Sequence, residues 1–228
     1  MSLAPRTVVL LHGFASSFDH NWRRSGWVDT LNDLGCEVPE IDLPGHGPSA
    51  QLIDPMDYAN VEKDLFDLLP AERPLTGVAF SVGGEMLIRI AVDHPGTFDK
   101  IVLLGVGDNL FGVPDSEAVA SAMEQDEEPE ELPARLFHRM GTQRGNNRQA
   151  LAAFLRRPRN PLQAEELATV TCPVLLIRGD CDTVQPSAER LMAALPSMEL
   201  VTVEGVDHFA IPGDMRSLDA TMKFLGLV

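Results

Sequence analysis

Residues 75–84 read LTGVAFSVGG, an apolar run that ends at Ser81 and is followed at once by small residues. The next stretch, 82–93, has the apolar spacing of a helix, and the sequence His-Pro-Gly at 94–96 is a strong helix stop. A serine at such a strand-to-helix turn is exposed on a sharp bend, because small neighbours let other backbone come close and the helix start leaves N–H groups near the hydroxyl. The usual pattern has glycine two residues before the serine, and this chain has Ala79 there. The stretch predicts a nucleophile at Ser81.

Other apolar runs also end in residues that carry chemistry: TVVLL (7–11) before HG (12–13), PVLLIR (173–178) before GDCD (179–182), and LVTV (200–203) before GVDH (205–208). Continuous apolar runs of this length are typical of parallel strands that are buried on both faces. The carboxyl ends of parallel strands meet at one edge of the sheet, where open α/β sheets place their sites. A serine, an acid and a histidine can therefore converge at that edge.

At this point the chain resembles the α/β-hydrolase family, in particular its serine carboxylesterase-like members with a helical cap. The matching motifs, in the family's order, are HGF (12–14), DLPGHG (42–47), AFSVGG (79–84), GDCD (179–182) and GVDH (205–208). The resemblance spans the chain except roughly residues 109–170. It implies a soluble serine hydrolase.

The resemblance implies a catalytic triad of Ser81, Asp182 and His208. His208 would take the proton of the Ser81 hydroxyl, and Asp182 would orient the imidazole and stabilise its charged form. The resemblance also implies an oxyanion hole made of the backbone N–H groups of Phe14 and Val82.

The acid has rivals. Asp180 follows the same predicted strand as Asp182 and is alternatively a turn-capping residue. The family's Gly-x-x-Asp spacing favours Asp182, and Asp108, which follows the predicted strand 100–105, is a more distant candidate. The remaining histidines are interpreted as structural, packing or solvated residues: His12, His20, His46, His94 and His138.

The expected fold class is α/β, with the α/β-hydrolase fold. The predicted strands form a mostly parallel, six-stranded sheet, at 7–11, 36–41, 75–80, 100–105, 173–178 and 199–203. The helices flanking the sheet are predicted near 23–34, 57–68, 82–93, 185–195 and 215–225. Because the first predicted strand begins almost at the chain start, we expect the family's N-terminal antiparallel strands to be missing.

The resemblance divides the chain into a core, 1–108 and 171–228, and a helical cap or lid insertion, 109–170. Helical stretches are expected in the insertion near 116–125, 130–140, 147–156 and 162–168. Acidic residues dominate 115–131, and seven arginines follow: Arg135, Arg139, Arg144, Arg148, Arg156, Arg157 and Arg159. The acidic residues and the arginines are expected to form solvated faces that partly neutralise each other. Alternatively, one arginine binds a carboxylate of the substrate. The apolar side chains are expected to pack the cap onto the core or to line an acyl pocket: Leu132, Leu136, Phe137, Met140, Leu151, Phe154 and Leu155.

The composition limits the partners. A chain of 228 residues with a formal charge of −16 disfavours nucleic acid and anionic membrane surfaces. The apolar runs are strand-sized, far short of the ~20 residues that span a bilayer. The three cysteines are expected as free thiols in a reducing, cytoplasmic setting, and no signal peptide is expected. No His, Cys and Asp cluster has metal-ligand spacing, so no metal or other cofactor is expected.

The expected reaction is the cleavage of a small or medium carboxylic ester or thioester through an acyl-enzyme. Haloalkane dehalogenases and epoxide hydrolases are disfavoured, because they carry an aspartate where this chain has Ser81. Carbon–carbon bond hydrolases share the triad but carry a Gly-Pro-Gly type of sequence after His-Gly, where residues 14–17 here read FASS. Lyases and perhydrolases use the same triad, so these two activities remain alternatives. A small-ligand binder without catalysis is the alternative from another class.

Overall fold

The computed structural model describes residues 6–47, 49, 52–113, 115–130, 134–142, 145–195 and 197–228. Within these ranges five strands form one sheet, in the order β1-β2-β3-β4-β5, and every pair of neighbours is parallel. The strands are Val8–Leu11 (β1), Leu75–Phe80 (β2), Phe98–Leu104 (β3), Val174–Gly179 (β4) and Glu199–Val203 (β5).

The prediction of a sixth strand at 36–41 was wrong. This segment reaches the edge of the sheet beside β1, but it pairs there only through a single parallel bridge between Thr7 and Glu37. Pro39 has no N–H to donate to a ladder, and Glu40 turns outward into an exposed ion pair with Arg23. The segment therefore leaves the sheet directly after the bridge.

The α-helices of the described ranges are Trp27–Asp33 (α1), Val61–Leu68 (α2), Val82–Asp93 (α3), Glu117–Glu124 (α4), Ala134–Gly141 (α5), Arg148–Arg156 (α6), Glu189–Ala194 (α7) and Met215–Leu225 (α8). Shorter elements complete the chain: one π-helical turn, Asp19–Arg23, and 3-10 helices at Pro55–Tyr58, Asp108–Phe111, Ala164–Thr169 and His208–Gly213. The predicted helices 82–93 and 215–225 agree with α3 and α8 at both ends.

Helices cover both faces of the sheet, because successive side chains of a strand point to opposite sides. In β1, Val8 and Leu10 pack with α1 and α8, whereas Val9 and Leu11 pack with α2 and α3. All four of these side chains are fully buried. This double coverage explains why the inner strands are apolar without alternation.

The helices α4, α5 and α6 lie in the chain between β3 and β4 and pack on one another. The acidic and basic halves of this segment are joined by ion pairs, since Arg156 contacts Glu117 and Glu124, and Arg139 contacts Glu128. Some of the features predicted for this segment lie outside the described residues. They are residues 131–133 of the predicted helix 130–140, which include Leu132, and Arg144. The division into core and cap stays a prediction.

Candidate active site

Ser81 occupies the turn between β2 and α3 in a backbone conformation that side chains rarely adopt, with φ of 54° and ψ of −124°. Within the described residues, only Ala15 shares a positive φ among non-glycine positions. Such a conformation costs on the order of 1–3 kcal/mol and persists only where the surroundings enforce it. Here the Ser81 N–H donates to the Leu104 carbonyl at 2.9 Å, and the Ser81 carbonyl accepts the N–H of Glu85 at 3.1 Å. The strained turn is thus held from both sides.

Gly83 allows the start of α3 to approach the end of β1. A Cβ atom at this position would lie 2.4 Å from the carbonyl oxygen of His12 and 2.9 Å from that of Leu11. Real Cβ atoms do not come this close to backbone oxygens, so glycine is required by the packing. The contact brings the first turn of α3 beside the loop that follows β1.

The structure brings Ser81, Asp182 and His208 together. The Nε2 atom of His208 lies 3.0 Å from the Ser81 hydroxyl oxygen, and its Nδ1 atom lies 2.8 Å from Oδ2 of Asp182. Each residue follows the carboxyl end of a different strand: β2, β4 and β5. His208 and Asp182 are buried, at 3% and 7% exposure. The three predicted triad residues therefore form one continuous hydrogen-bonded row.

Asp182 is held by its own loop as well as by His208. Its Oδ1 atom accepts the backbone N–H groups of Val184 at 2.9 Å and Gln185 at 2.8 Å. Burial by itself would raise the pKa of this carboxyl, but the hydrogen bonds from His208 and from the backbone outweigh burial, so the pKa of Asp182 lies below its ordinary value. Asp182 is thereby kept as a carboxylate facing the imidazole.

The rival acids are engaged elsewhere. Asp180 is exposed, and its Oδ1 atom accepts the N–H of Gly205 at 2.7 Å. Asp108 accepts the hydroxyl of Ser187 at 2.6 Å and the N–H of Leu191 at 3.0 Å, which fixes the start of α7. Both are turn- or helix-capping residues in this fold.

The two predicted oxyanion donors both line the cavity that holds Ser81. Val82 begins α3, and Phe14 lies in the loop after β1, where Gly13 donates its N–H to Oδ1 of Asn21 at 3.1 Å. In the part of the chain that the structure describes, neither the Phe14 N–H nor the Val82 N–H has a hydrogen-bond acceptor. Neither donor is thus used by another described residue, and their role in catalysis stays a prediction.

His12 lies beneath that loop and is fully buried. Its Nδ1 atom is 2.8 Å from the Gly13 carbonyl, and its Nε2 atom accepts the N–H of Leu43 at 3.0 Å. The ring therefore ties the loop after β1 to the 42–47 motif, which agrees with a structural role. Oδ1 of Asp42 lies 3.2 Å from the same Nε2 atom and also accepts the N–H of Phe18.

His46 is also fully buried, among aromatic rings. It makes edge contacts with Phe14 and Phe154, with ring centroids 5.5 Å and 4.8 Å apart. Its Nδ1 atom lies 3.1 Å from the Pro44 carbonyl, while its buried Nε2 atom has no partner among the described residues. Burial, with a smaller contribution from His12, lowers the pKa of His46 to about 3. The ring therefore stays neutral near pH 7, and it packs against Phe14 and Phe154, which line the cavity.

The hydroxyl of Ser81 and the imidazole of His208 open on a cavity of about 610 Å³. Apolar side chains from the segment between β3 and β4 form much of its wall: Val119, Leu136, Phe137, Met140, Phe154 and Leu155. Leu151, which was also a candidate for the pocket, is instead fully buried in a small core with Ala15 and Met123. These apolar side chains were expected either to pack the cap onto the core or to line an acyl pocket. Most of the described ones line the cavity.

One part of the cavity wall is polar, and sequence reasoning did not single it out. It consists of Glu85, Gln185, Arg157 and Arg159. Glu85 lies in the first turn of α3, four residues after Ser81, and its N–H donates to the Ser81 carbonyl; that spacing was an available signal. The sequence did not distinguish Arg157 from the other six arginines of 135–159.

Two properties of the described ranges concern metals and membranes. No group of three or more His, Cys, Asp and Glu side chains there is arranged to hold a metal ion. None of the helices described has the length and apolar character required to cross a bilayer.

Known proteins similar to this chain agree on its fold. A hydrolase from Pseudomonas aeruginosa superimposes with a TM-score of 0.75 at 22% identity, over 97% of this chain and 90% of that one. A pimeloyl-(acyl-carrier protein) methyl ester esterase from Nitrosomonas europaea is 27% identical over 88% of both chains. A 2-hydroxy-6-oxononadienedioate/2-hydroxy-6-oxononatrienedioate hydrolase from a Pseudomonas species is 32% identical over 44% of this chain and 36% of its own length.

The sequence model of the alpha/beta hydrolase family matches residues 8–216, which is most of the chain. The match contains all of the motifs identified above, and the parallel sheet with helices on both faces is the family's architecture. The chain therefore belongs to the alpha/beta hydrolase family and is a hydrolase.

Proposed function

We propose that the protein is a serine esterase that cleaves a small or medium carboxylic ester or thioester through an acyl-enzyme. The observation that carries this proposal is the row of contacts from Asp182 through His208 to Ser81, with distances of 2.8 Å and 3.0 Å. A ligand-binding protein has no need for a strained serine in contact with a buried imidazole. The esterase named among the relatives gives independent support.

In the proposed reaction, the Ser81 oxygen attacks the ester carbonyl carbon while Nε2 of His208 accepts the hydroxyl proton. Asp182, held as a carboxylate, stabilises the imidazolium that forms. The tetrahedral intermediate collapses, the bond to the leaving alcohol or thiol breaks, and His208 gives that leaving group the proton. Water then attacks the acyl-enzyme with His208 again as base, which releases the acid and restores Ser81.

The negative oxygen of the intermediate would be stabilised by the N–H groups of Phe14 and Val82. Both residues line the cavity, and neither N–H has an acceptor in the described part of the protein. Donors that are already in place cost no reorganisation during the reaction, and losing one typically lowers the rate about 10²–10³-fold. In this proposal, residues 109–170 are a cap that supplies the apolar wall for the acyl group.

The decisive experiment is labelling with a fluorophosphonate probe, followed by mapping of the modified peptide. We expect modification at Ser81, loss of labelling and of p-nitrophenyl butyrate hydrolysis in Ser81→Ala, and no change in Ser197→Ala, which alters an exposed serine far along the chain. An unlabelled, inactive wild type that remains folded would favour the small-ligand binder instead.

Hydrolysis of a carbon–carbon bond is a second candidate function, because a relative named for such a substrate class matches part of the chain. The same Ser81, Asp182 and His208 would serve it. The sequence FASS at 14–17 still argues against it, since those hydrolases have a Gly-Pro-Gly type of sequence there. Comparing turnover of p-nitrophenyl esters with turnover of a 2-hydroxy-6-oxo dienoate would separate the two functions.

A further inference from the structure

We propose that Arg157 binds a free carboxylate of the substrate, so that the ester cleaved at Ser81 belongs to a carboxylate-bearing class such as the monoesters of short dicarboxylic acids. This inference rests on the proposed esterase function and adds its substrate class. It starts from an arginine that lines the reaction cavity without any carboxylate of its own.

Arg157 is 5% exposed, which is unusual for a residue that carries a permanent charge. One guanidinium nitrogen donates to the Phe154 carbonyl at 2.7 Å, and the guanidinium carbon lies 3.9 Å from the centre of the Phe154 ring. Phe154 is itself fully buried and packs on Phe14, so Arg157 rests on a fixed aromatic surface. The guanidinium is thus held in place before any ligand arrives.

The charge of Arg157 is not compensated by an ion pair. Its Nε atom is buried and has no hydrogen-bond partner, and no carboxylate of the described residues forms a salt bridge with it. The neighbouring Arg159 is different, because it contacts Oε2 of Glu85 at 2.7 Å. Glu85 and Arg159 neutralise each other, which leaves one positive charge at Arg157.

The electrostatics of Arg157 agree with this geometry. Burial, and next the positive charge of Arg159, lower the pKa of Arg157 to about 10, while Glu62 and Glu85 oppose this effect to a smaller extent. The guanidinium therefore stays charged near neutral pH. A buried cation without a partner is costly unless a ligand of opposite charge occupies the site.

The chemistry of the site favours a carboxylate. The planar guanidinium fork presents parallel N–H donors that match the two oxygens of a carboxylate. Arg157 supplies one positive charge without an ion pair, which suits a monoanion. A phosphate dianion would be repelled more strongly by the carboxylates that also line the cavity, Glu85, Asp115 and Asp207.

The closeness of Glu85 to Ser81 along the chain leads us to expect a short substrate. Glu85 lies one helical turn after Ser81 on α3, a rise of roughly 6 Å along the helix axis. The remaining cavity wall is mainly apolar, with Phe137 and Leu136 on it. We therefore expect a short methylene chain between the ester carbonyl and the carboxylate, lying along the apolar part of the wall.

The test compares acidic esters with neutral esters of similar size in wild type, Arg157→Gln, Arg157→Lys and Arg156→Gln. One pair, p-nitrophenyl hemiglutarate and p-nitrophenyl pentanoate, places the carboxylate on the acyl side. The other pair, 4-acetoxybenzoate and 4-acetoxybenzamide, places it on the alcohol side. Arg156 is the matched control, since it pairs with Glu117 on the surface and does not line the cavity.

We expect wild type to prefer one acidic ester by about tenfold or more in kcat/KM, the size of effect that a charged hydrogen bond supplies. In Arg157→Gln, kcat/KM should fall much further for the acidic ester than for the neutral ester, so that the preference is lost. Arg157→Lys should keep part of the preference, and Arg156→Gln should resemble wild type. Equal losses on acidic and neutral esters in Arg157→Gln, or no acidic preference in wild type, would overturn the proposal.

A binding measurement keeps this inference separate from the esterase proposal. Monomethyl glutarate is titrated calorimetrically into Ser81→Ala, with dimethyl glutarate as the neutral comparison. Tighter binding of the monoanion, abolished when Arg157→Gln is added, supports carboxylate recognition whether or not wild type hydrolyses esters. Equal binding of the two compounds contradicts it, and inactivity on every ester with intact binding contradicts only the esterase.

Discussion

Asp182 meets His208 through one carboxylate oxygen, Oδ2, which lies 2.8 Å from Nδ1 of the ring. The other oxygen is occupied by the backbone N–H groups of Val184 and Gln185. The carboxylate therefore has a fixed orientation toward the imidazole. Asp180, two residues earlier, has no contact of this kind and bonds instead to Gly205.

The first prediction follows from this difference between Asp182 and Asp180. Asp182→Asn should lower kcat for p-nitrophenyl butyrate by up to about 10⁴-fold, because an amide cannot stabilise the imidazolium and favours the wrong ring tautomer. Asp180→Asn is the matched control and should stay within about threefold of wild type. Steady-state kinetics on both variants decide the matter, and comparable losses would remove Asp182 from the proposed triad.

The second prediction concerns Gly83. In Gly83→Ala the new methyl group would meet the His12 carbonyl oxygen at 2.4 Å, so α3 must shift away from β1. We expect a loss of about 1–3 kcal/mol in the free energy of unfolding, as for other overpacked sites, together with slower turnover. Urea unfolding of Gly83→Ala and of Gly213→Ala measures this, since a Cβ at Gly213 has no described atom within 4 Å. If both variants are as stable as wild type, the close approach is not essential.

The third prediction is a dependence of stability on pH that His46 causes. Its folded-state pKa of about 3 lies below the ordinary value near 6.5, so the unfolded chain takes up a proton at a pH where the folded protein does not. Below about pH 6.5, this histidine should therefore lower the free energy of unfolding by about 1.4 kcal/mol per pH unit, until the pH nears the folded pKa. Above that range its effect is constant.

His46→Gln removes this titration. The difference in unfolding free energy between the variant and wild type should favour wild type at pH 8 and shrink steadily from pH 6 to pH 5. Urea unfolding at several pH values provides the measurement. A difference that stays constant across this range would mean that the ring takes up its proton at the same pH in the folded and unfolded states.

The fourth prediction concerns two phenylalanines of the cavity wall that differ in burial. Phe154 is fully buried and contacts the rings of His46 and Tyr58, so Phe154→Ala should cost about 3–5 kcal/mol of unfolding free energy. Phe137 is half-buried on the cavity wall, so Phe137→Ala should cost about 1 kcal/mol and mainly raise KM for longer acyl chains. Thermal unfolding with a p-nitrophenyl ester series tests both. Equal destabilisation by the two substitutions would contradict the assignment.

Much of the fold was predictable, because local chemistry marks its elements. The strand Leu75–Phe80 and the helix Val82–Asp93 follow from an apolar run, a small-residue turn and a His-Pro-Gly stop. The segment 36–41 was also predicted as a strand, yet Pro39 and the exposed Glu40 limit it to one bridge. A strand at a sheet edge has a partner on one side only, so small local defects decide whether it forms.

The sequence by itself determined the class of fold, the exposed turn at Ser81 and the set of residues able to do acid–base chemistry, because these depend on neighbours along the chain. Only the tertiary structure decided that Asp182 rather than Asp180 contacts His208 and that Arg157, among seven arginines, is buried without an ion pair. Those facts depend on distances between segments far apart in the chain. Periodicity and composition carry no information about such distances.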